Sequence, residues 1–320
     1  MSFQRTKELI LALRPVAAWP QMAEMVERIQ LRDLTVAVWD YPAAACEAVG
    51  GSPEAAVRGS AAILCSLISI HLVDDMLDED PGGDYHRLGP GATANLALAF
   101  QAAGHQVLDE ETLPPQTRSA LQAALSGMAL ATARGQSLDA RHFCNEEEYW
   151  QVVEAKTPPL FAAAASVGAL LGGAPPELVE RLSELGGRLG LGVQVTDDLL
   201  DALRAPAAAD WNRRLNNLPI LYAMTAEHPE REVFLELSAR AAEPEALAAA
   251  QEILVRSGAL SYCAFKLLEI LNEARSLLES ISLARPEPVL RLFDAQTKPL
   301  HRLFMAAGSP HADLLLLPRS

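Results

Sequence analysis

The stretches HLVDDMLDED, at residues 71–80, and GVQVTDDLLD, at residues 192–201, each place the pattern Asp-Asp-x-x-Asp at the end of a long apolar run. On a helix the first and third aspartates of this pattern share a face, and the second lies about 100° around the axis. Like charges at this spacing repel one another, most strongly near an apolar interior, unless a cation intervenes. Grouped carboxylates suit Mg²⁺, whose coordination substrate phosphates complete. The two patterns therefore predict a site that holds a diphosphate between several Mg²⁺ ions, and the alternative is two solvated acidic helix ends.

The apolar residues of the chain predict an all-α fold. Half of the 320 residues are hydrophobic but only 5% are aromatic, and Ala and Leu, which favour helices over strands, dominate the apolar positions. Helical periodicity recurs between short Pro- and Gly-rich segments. Two long helices, over 53–78 with Ser52 as the N-cap and from 176 to about 203, are apolar on most faces and belong in the middle of a bundle. Because no linker divides the chain, we expect a single large helical bundle over residues 1–320.

Charge and cysteine spacing exclude several classes of protein. The net charge of −15 and the pI near 4.9 would repel a nucleic-acid backbone, so no nucleic-acid partner is predicted. The most apolar segment, AAILCSLISIHLV, is shorter than the roughly 20 residues of a membrane span, and no span is predicted. The cysteines are far apart and lack CxxC spacing, which favours buried free thiols and a cytoplasmic location. They are Cys46, Cys65, Cys144 and Cys263.

Further segments accompany the two aspartate patterns in a specific order. They are GGSPEAAVRGSAAILCSLISIHLVDDMLD at 50–78, GQSLD at 135–139, EEYWQVVEAKTPPLFAAAASVGALLGG at 147–173 and NNLPILYA at 216–223. In order and spacing they resemble the trans-isoprenyl diphosphate synthases, a family of all-α enzymes with two aspartate-rich motifs. The resemblance covers most of the chain, and it implies a bundle of the isoprenoid (terpenoid) synthase type with a central cavity.

The resemblance also implies a chemistry, in which Mg²⁺ neutralises the diphosphate of an allylic prenyl substrate as its C–O bond breaks. Three Mg²⁺ ions per site and a homodimer are implied in the same way. Lys156 would add a cation to the diphosphate, with Thr157 and Gln194 as polar neighbours of the developing carbocation. The alternative for Lys156 is an exposed helix lysine, and the alternative for Gln194 is a core amide with satisfied hydrogen bonds. The implied metal ligands are Asp74, Asp75, Asp78, Asp197, Asp198 and Asp201. The arginines that could close on the same diphosphate are Arg87, Arg213 and Arg214.

The chain departs from the family at the site for the acceptor, isopentenyl diphosphate. Aligned on Pro42, residues 36–41 read VAVWDY where the family carries basic residues, and Leu67 stands where the family carries a histidine. A buried diphosphate without cationic partners is prohibitively costly, so acceptor binding should be lost. We therefore expect cyclisation, as in a class I terpene synthase, or transfer to an unusual acceptor that Trp39 and Tyr41 could face.

Ser69 replaces the bulky aromatic residue of short-chain synthases, which suggests a C15–C20 or longer substrate. The alternatives to cyclisation are ordinary prenyl chain elongation, with bases from elsewhere in the sequence, and a non-catalytic partner subunit of a synthase.

Overall fold

The computed structural model describes residues 3–30, 38–109, 112–139, 145–213 and 216–306, without the side chains of 212, 213 and 298–306. Within these ranges the regular structure is helical and contains no strand, which confirms the all-α prediction. The first helices are α1 (Phe3–Leu11), α2 (Arg14–Ala17), α3 (Pro20–Arg28), α4 (Tyr41–Ala48), α5 (Pro53–Asp78), α6 (Tyr85–Leu88), α7 (Pro90–Leu108), α8 (Pro115–Asp139) and α9 (Glu146–Lys156). The remaining helices are α10 (Pro158–Leu171), α11 (Pro176–Leu203), α12 (Asp210–Arg213), α13 (Leu218–Thr225), α14 (Arg231–Ser238), α15 (Pro244–Arg256), α16 (Ala259–Glu279) and α17 (Glu287–Ala306).

The two predicted long helices, α5 and α11, lie at the centre of the bundle. The Ser52 side chain caps α5 by accepting a 3.3 Å hydrogen bond from the backbone N–H of Ala55, and Pro53 occupies the first turn. Helix α5 packs against α4, α7 and α10, while α11 packs against α10 and α16. Ile63 and Leu64 of α5 are fully buried, and each such side chain contributes about 1.5–3 kcal/mol of hydrophobic stabilisation. The apolar faces of both helices therefore hold their acidic ends in fixed positions.

A pair of prolines separates α9 from α10. Because proline lacks a backbone donor, the sequence predicts a bend at this point. In the structure α9 ends at Lys156 and α10 begins at Pro158. Thr157 stands between them at the N-cap position, without a capping hydrogen bond from its side chain. Lys156 and Thr157 are thereby placed at the junction of two helices.

Helix α5 bears on the prediction that the chain has no membrane span. Among the described helices it is the one long and apolar enough to cross a membrane by length and composition, although 78% of its most apolar window is buried inside the fold. The prediction considered only the uninterrupted apolar segment, and the whole helix is longer. One such helix, mostly buried, is weak evidence for a span, and the absence of a span stays a prediction.

The described cysteines are free and buried, as predicted: Cys46, Cys65 and Cys263. Burial raises the pKa of the Cys65 thiol to about 12 and that of Cys46 to about 11. A thiol held neutral in this way is a poor nucleophile, so these residues are structural. Cys144 lies outside the described residues.

The two aromatic residues near the start of α4 belong to the core. Trp39 is 5% exposed and its ring centroid lies 4.9 Å from that of Phe3. Tyr41 is 3% exposed, packs edge-on against Phe161 at 5.2 Å, and accepts a hydrogen bond from the Gln296 amide. Neither ring lines the cavity described below, so the suggestion that they face a cation or an acceptor is not supported.

Candidate active site

The C-terminal ends of α5, α8, α9 and α11 meet around a cavity of about 290 Å³. Its carboxylates form two groups, which we call the first and second rims. The first rim consists of Asp74, Asp78 and Asp139, and the second of Asp197, Asp198, Asp201 and Asp210. Farther from the two rims, the residues that line the cavity are apolar. They include Leu67, Ile70, Leu160, Phe161 and Val193.

Lys156 is the centre of the first rim. Its ammonium lies 3.0 Å from Oδ1 of Asp74 and 2.7 Å from Oδ2 of Asp139. The Gln136 amide donates a further 2.8 Å hydrogen bond to Oδ1 of Asp74. The lysine side chain is only 18% exposed, so the alternative of an exposed helix lysine is wrong.

The charges of the first rim stabilise one another. Burial alone would raise the pKa of Asp74, but the charge and hydrogen bond of Lys156 outweigh it and the pKa is lowered. Burial likewise acts to lower the pKa of Lys156, but the carboxylates of Asp74 and Asp139 raise it well above its ordinary value. Both groups are therefore ionised at neutral pH.

A glycine brings Asp139 and Lys156 together. Gly135 lies one turn before Asp139 on α8, and a Cβ atom there would be 2.6 Å from the backbone carbonyl oxygen of Ala155 and the backbone nitrogen of Lys156. Only a residue without a side chain allows α8 and α9 to touch at this point. The GQSLD segment thus acts as one unit, with a glycine for close approach and Gln136 and Asp139 for polar contacts.

Asp198 is the most enclosed carboxylate of the second rim, at 2% exposure. It accepts hydrogen bonds from the Tyr149 hydroxyl at 2.6 Å, the Gln194 amide at 3.0 Å and the backbone N–H of Leu218 at 2.9 Å. Three donors occupy most of its lone pairs. In this structure Asp198 therefore joins α9, α11 and α13, and its predicted role as a metal ligand stays a prediction.

Thr157 and Gln194 continue this network toward the first rim. The Thr157 hydroxyl donates a hydrogen bond to Oε1 of Gln194, whose amide nitrogen contacts Asp198. Both residues line the cavity. Gln194 therefore combines the two alternatives, since its amide is satisfied and also faces the predicted site.

The carboxylates of the second rim resist ionisation. Burial, with the charges of Asp201 and Asp210, raises the pKa of Asp197 to about 7. Burial and the charge of Asp210 raise the pKa of Asp198 to about 7 despite its three donors, and burial raises that of Asp210 to about 6. A bound cation would relieve this crowding.

The donor atoms suit Mg²⁺. Single carboxylate oxygens of Asp74, Asp78 and Asp139 all lie within 4.8 Å of one another, and the two rims offer oxygen rather than sulfur or imidazole ligands. Hard oxygen donors at this spacing fit Mg²⁺, which binds a few carboxylates and leaves positions for substrate phosphate.

Asp75 lies apart from the first rim. It lies about 100° around α5 from Asp74, is not among the residues that line the cavity, and lies beside Gly83 instead. Burial and the charge of Asp80 raise its pKa to about 6. Its predicted role as a metal ligand is not tested.

The predicted arginines are not part of the described lining. Arg87, on α6, is 47% exposed and pairs with Asp84 at 3.1 Å. The side chain of Arg213 and the whole of Arg214 lie outside the described residues. Among the described lining residues, Lys156 is the one with a permanent positive charge.

Sequence reasoning missed several residues of the site. Asp139 belonged to a recognised segment but was not chosen, and Asp210 is the first residue of the short helix α12, where no repeated acidic pattern suggests it. Asn216 donates hydrogen bonds to Asp139, and Asn217 donates one of 2.7 Å to Asp210. The NNLPILYA segment was therefore a usable signal, because its two asparagines hold these two carboxylates.

The sequence matches the profile of the polyprenyl synthetase family over residues 45–254, a range that contains both aspartate motifs. The chain belongs to the polyprenyl synthetase family. It is 31% identical over 255 residues to the short chain isoprenyl diphosphate synthase of Methanothermobacter thermautotrophicus, covering 73% of this chain and 76% of that protein. It is 34% identical over 171 residues to the geranylgeranyl diphosphate synthase of Methanosarcina mazei, covering 49% of this chain and 51% of the relative. The match thus spans about half the length of the second protein.

Solved structures share the fold. The geranylgeranyl pyrophosphate synthetase of Pyrococcus horikoshii Ot3 superposes with a TM-score of 0.76 at 21% identity, over 90% of this chain and 92% of that one. The polyprenyl synthase of Caulobacter crescentus CB15, solved with calcium and isoprenyl diphosphate, gives a TM-score of 0.74 at 22% identity, over 92% and 90%. These likenesses confirm the predicted fold class, and the family profile with the Methanothermobacter relative confirms the resemblance to isoprenyl diphosphate synthases.

The curated polyprenyl synthetase relatives bear on the reaction. They are enzymes named for the prenyl diphosphates they make, among them geranylgeranyl, short chain isoprenyl and farnesyl diphosphate synthases. This favours prenyl chain elongation, the alternative in the sequence analysis, over the cyclisation that the missing bases suggested.

Proposed function

We propose that this polyprenyl synthetase ionises an allylic prenyl diphosphate with the help of Mg²⁺ and transfers the prenyl group to isopentenyl diphosphate. The observation that carries the proposal is the union of two carboxylate rims and Lys156 at a cavity whose other walls are largely apolar. A diphosphate requires cations, and a prenyl chain requires an apolar wall. The family match favours elongation as the fate of the prenyl group.

The metal site draws on the aspartates of both motifs together with Asp139, and three ions per site are proposed from the resemblance. When bound, Mg²⁺ supplies positive charge that stabilises the departing diphosphate. Lys156 adds the charge of the protein itself. Its two carboxylate contacts hold the ammonium at the cavity, where it is available to a diphosphate.

The remaining lining protects the carbocation that ionisation produces. Leu160, Phe161 and Val193 exclude water, which would otherwise capture the cation as an alcohol. Thr157 and Gln194 are polar residues of the same lining, and the Thr157 hydroxyl donates a hydrogen bond to Oε1 of Gln194. A C15–C20 or longer donor is part of the proposal, carried by the sequence argument at Ser69.

One observation favours a second fate of the carbocation, which is cyclisation or transfer to an acceptor other than isopentenyl diphosphate. Val38 and Leu67, near or at the positions where the resemblance places basic residues, line the cavity as apolar side chains. Capture by the substrate's own double bonds or by another acceptor needs no second diphosphate site. A non-catalytic partner subunit, by contrast, has no chemical reason to keep all six motif aspartates.

Product analysis separates these functions. The protein is incubated with Mg²⁺ and geranyl, farnesyl or geranylgeranyl diphosphate, with and without isopentenyl diphosphate, and products are identified by mass spectrometry. A longer diphosphate that forms only when both substrates are present supports elongation, and cyclic or other products from the donor alone support the second fate. Lys156→Ala should lose activity, whereas Lys266→Ala, whose lysine pairs with Glu269 away from the cavity, should not. Failure to consume any donor in the presence of Mg²⁺ contradicts both functions.

Two further features are proposed, a homodimer from the resemblance and a cytoplasmic location from the spacing of the cysteines. Leu98 on α7 is 70% exposed and Leu130 on the neighbouring α8 is 74% exposed. Large apolar side chains exposed on adjacent helices are typical of surfaces that a second protein molecule covers. These two helices are therefore the proposed contact between protomers.

A further inference from the structure

A histidine faces the cavity one turn before the first aspartate motif. His71 lines the cavity together with Leu67, Asp74 and Asp78. These four residues follow one another at helical spacing, so they form a single face of α5. The side chains along this face change from apolar at Leu67 to acidic at Asp74 and Asp78, and His71 lies between the apolar and the acidic residues.

The imidazole of His71 is free to act on a ligand. The other histidines whose side chains are described, His86, His105 and His228, each hydrogen-bond to a carbonyl or amide oxygen. In the described part of the chain, no group hydrogen-bonds to the ring of His71, although the ring is exposed to the cavity. A polar side chain without a protein partner that faces an active-site cavity is available for substrate.

The surroundings keep this imidazole neutral. Desolvation by the protein around the cavity lowers the pKa of His71, the carboxylate of Asp74 acts to raise it, and the charge of Lys156 acts to lower it, with a lowered pKa as the result. A neutral imidazole has one nitrogen with an available lone pair, and it does not repel a nearby carbocation as an imidazolium would.

Its position matches the reacting carbons rather than the diphosphate. At 1.5 Å per residue, the backbone of His71 lies about 4.5 Å along α5 from that of Asp74, toward the apolar wall. With the diphosphate at the aspartate rims, the first isoprene unit of a bound prenyl chain extends from the rims toward that wall. His71 borders this part of the cavity.

We propose that His71 is a catalytic base that accepts the proton lost when the final carbocation becomes a neutral alkene. The proposal rests on the function proposed above, and it applies to either fate of the prenyl group. After the new C–C bond forms, a C–H bond on the carbon beside the cationic centre breaks. Its electron pair becomes the second bond of the alkene, and the proton passes to the unprotonated nitrogen of His71. The imidazolium then returns the proton to the released diphosphate or to solvent, so no other reactant is consumed.

The experiment compares two readouts in wild-type protein, His71→Leu, His71→Gln and His71→Ala. Diphosphate release measures ionisation, and mass spectrometry measures the alkene products against alcohols formed by water capture. General bases contribute roughly 100- to 10,000-fold, so alkene formation should fall at least tenfold while diphosphate release changes less. Added imidazole should restore alkene formation in His71→Ala but not in His71→Leu, where the side chain fills the space. The matched control is His105→Leu, which removes a histidine of α7 that is hydrogen-bonded to Gln122 of α8.

Each result decides the matter. Unchanged rates and products in His71→Leu and His71→Gln overturn the proposal, because the diphosphate or another group then takes the proton. A parallel fall in diphosphate release and alkene formation that imidazole does not restore assigns His71 to substrate binding and also overturns it. Wild-type protein that releases no diphosphate from any allylic donor overturns the proposed function, and the role of His71 with it. Thermal unfolding of each variant confirms that it is folded.

Discussion

The hydroxyl of Tyr149, on α9, donates a 2.6 Å hydrogen bond to Oδ2 of Asp198, on α11, and both residues are fully enclosed by the fold. This bond joins the helix that ends at Lys156 to the helix that carries the second motif. Tyr149→Phe would leave the buried carboxylate with one donor fewer, and an unsatisfied buried group costs about 1–3 kcal/mol. We expect the free energy of unfolding in urea to fall by this amount.

The control for this variant is Tyr222→Phe, since Tyr222 is only partly buried and contacts Tyr262 by stacking. Equal stability of Tyr149→Phe and this control would contradict a structural role for the Tyr149–Asp198 bond.

Asp75→Ala should abolish turnover without unfolding the protein. If Asp75 is a metal ligand, as the resemblance implies, its loss should lower the rate by roughly 100-fold or more, the effect of removing one electrostatic contact to a transition state. Because burial and the charge of Asp80 raise the pKa of Asp75, removal of its charge should leave the melting temperature unchanged or higher. Initial rates and thermal melts of Asp75→Ala and Asp139→Ala provide the comparison. An active Asp75→Ala beside an inactive Asp139→Ala would restrict the first group of ligands to the residues that line the cavity.

The protein without Mg²⁺ should lose stability as the pH rises from about 5.5 to 8. The folded-state pKa values of Asp197 and Asp198 are about 7 and that of Asp210 is about 6, all above the roughly 3.9 of an unfolded aspartate. Groups with a raised pKa bind more protons in the folded state, so their contribution is complete below pH 4 and disappears as they ionise. The lowered pKa of His71 makes stability rise with pH, but this single group opposes the three aspartates named above.

Melting temperatures measured across this pH range test the prediction. Excess Mg²⁺ should restore stability at pH 8, because a ligand that binds only the folded state stabilises it. Asp210→Asn should flatten the pH dependence. A melting temperature that rises steadily toward pH 8 without Mg²⁺ is the result that excludes this account.

Gly135→Ala should impair both stability and activity. The added methyl group would approach the backbone at Ala155 and Lys156 to 2.6 Å, so α8 and α9 must separate. Overpacking of this kind costs about 1–3 kcal/mol, and the contact between Lys156 and Asp139 should lengthen. Gly127→Ala on the same helix meets nothing within 4 Å and should stabilise the protein by about 0.5–1 kcal/mol. Urea unfolding and initial rates of the two variants should therefore diverge, and matching results would rule out the close helix contact.

Leu98→Glu and Leu130→Glu should disrupt the proposed homodimer. A buried, unpaired carboxylate at a protein interface is unfavourable, whereas the same residue on a free surface costs little. Analytical ultracentrifugation should find a dimer in the wild-type protein and a shift toward monomer in the variants. A monomeric wild-type protein would remove the dimer from the proposal.

The sequence was sufficient for the helices that carry the site. Helices α5 and α11 have apolar residues on most faces, and Ser52 and Pro53 mark the start of α5. Hydrophobic periodicity and capping preferences therefore predicted both helices and showed that the aspartates lie near their C-terminal ends. The helical spacing of the first motif also predicted that Asp74 and Asp78 share a face of α5, and both line the cavity. These features depend on residues close together in the chain.

Contacts between distant segments could not be predicted in the same way. Asp139 and Lys156 meet because Gly135 lets two helices touch. Asp210 reaches the second rim from the start of the short helix α12, where Asn217 donates a hydrogen bond to it. The exposure of His71 to the cavity depends on which face of α5 its neighbours leave uncovered. Side-chain pattern alone indicates none of these.

The ends of the helices add a contribution that no single side chain provides. Four helices bring their C-terminal turns to the cavity. The rim residues of α5, α8 and α11 lie in these final turns, and Lys156 is the last residue of α9. Aligned peptide dipoles give each helix a partial negative charge of about half an electron at its C-terminus. Four such ends converge on one cavity, so the backbone itself creates a negative potential that persists at any pH and in any aspartate variant. The helix backbones therefore favour positively charged species at the cavity, whether metal ions or a carbocation, in addition to the acidic side chains.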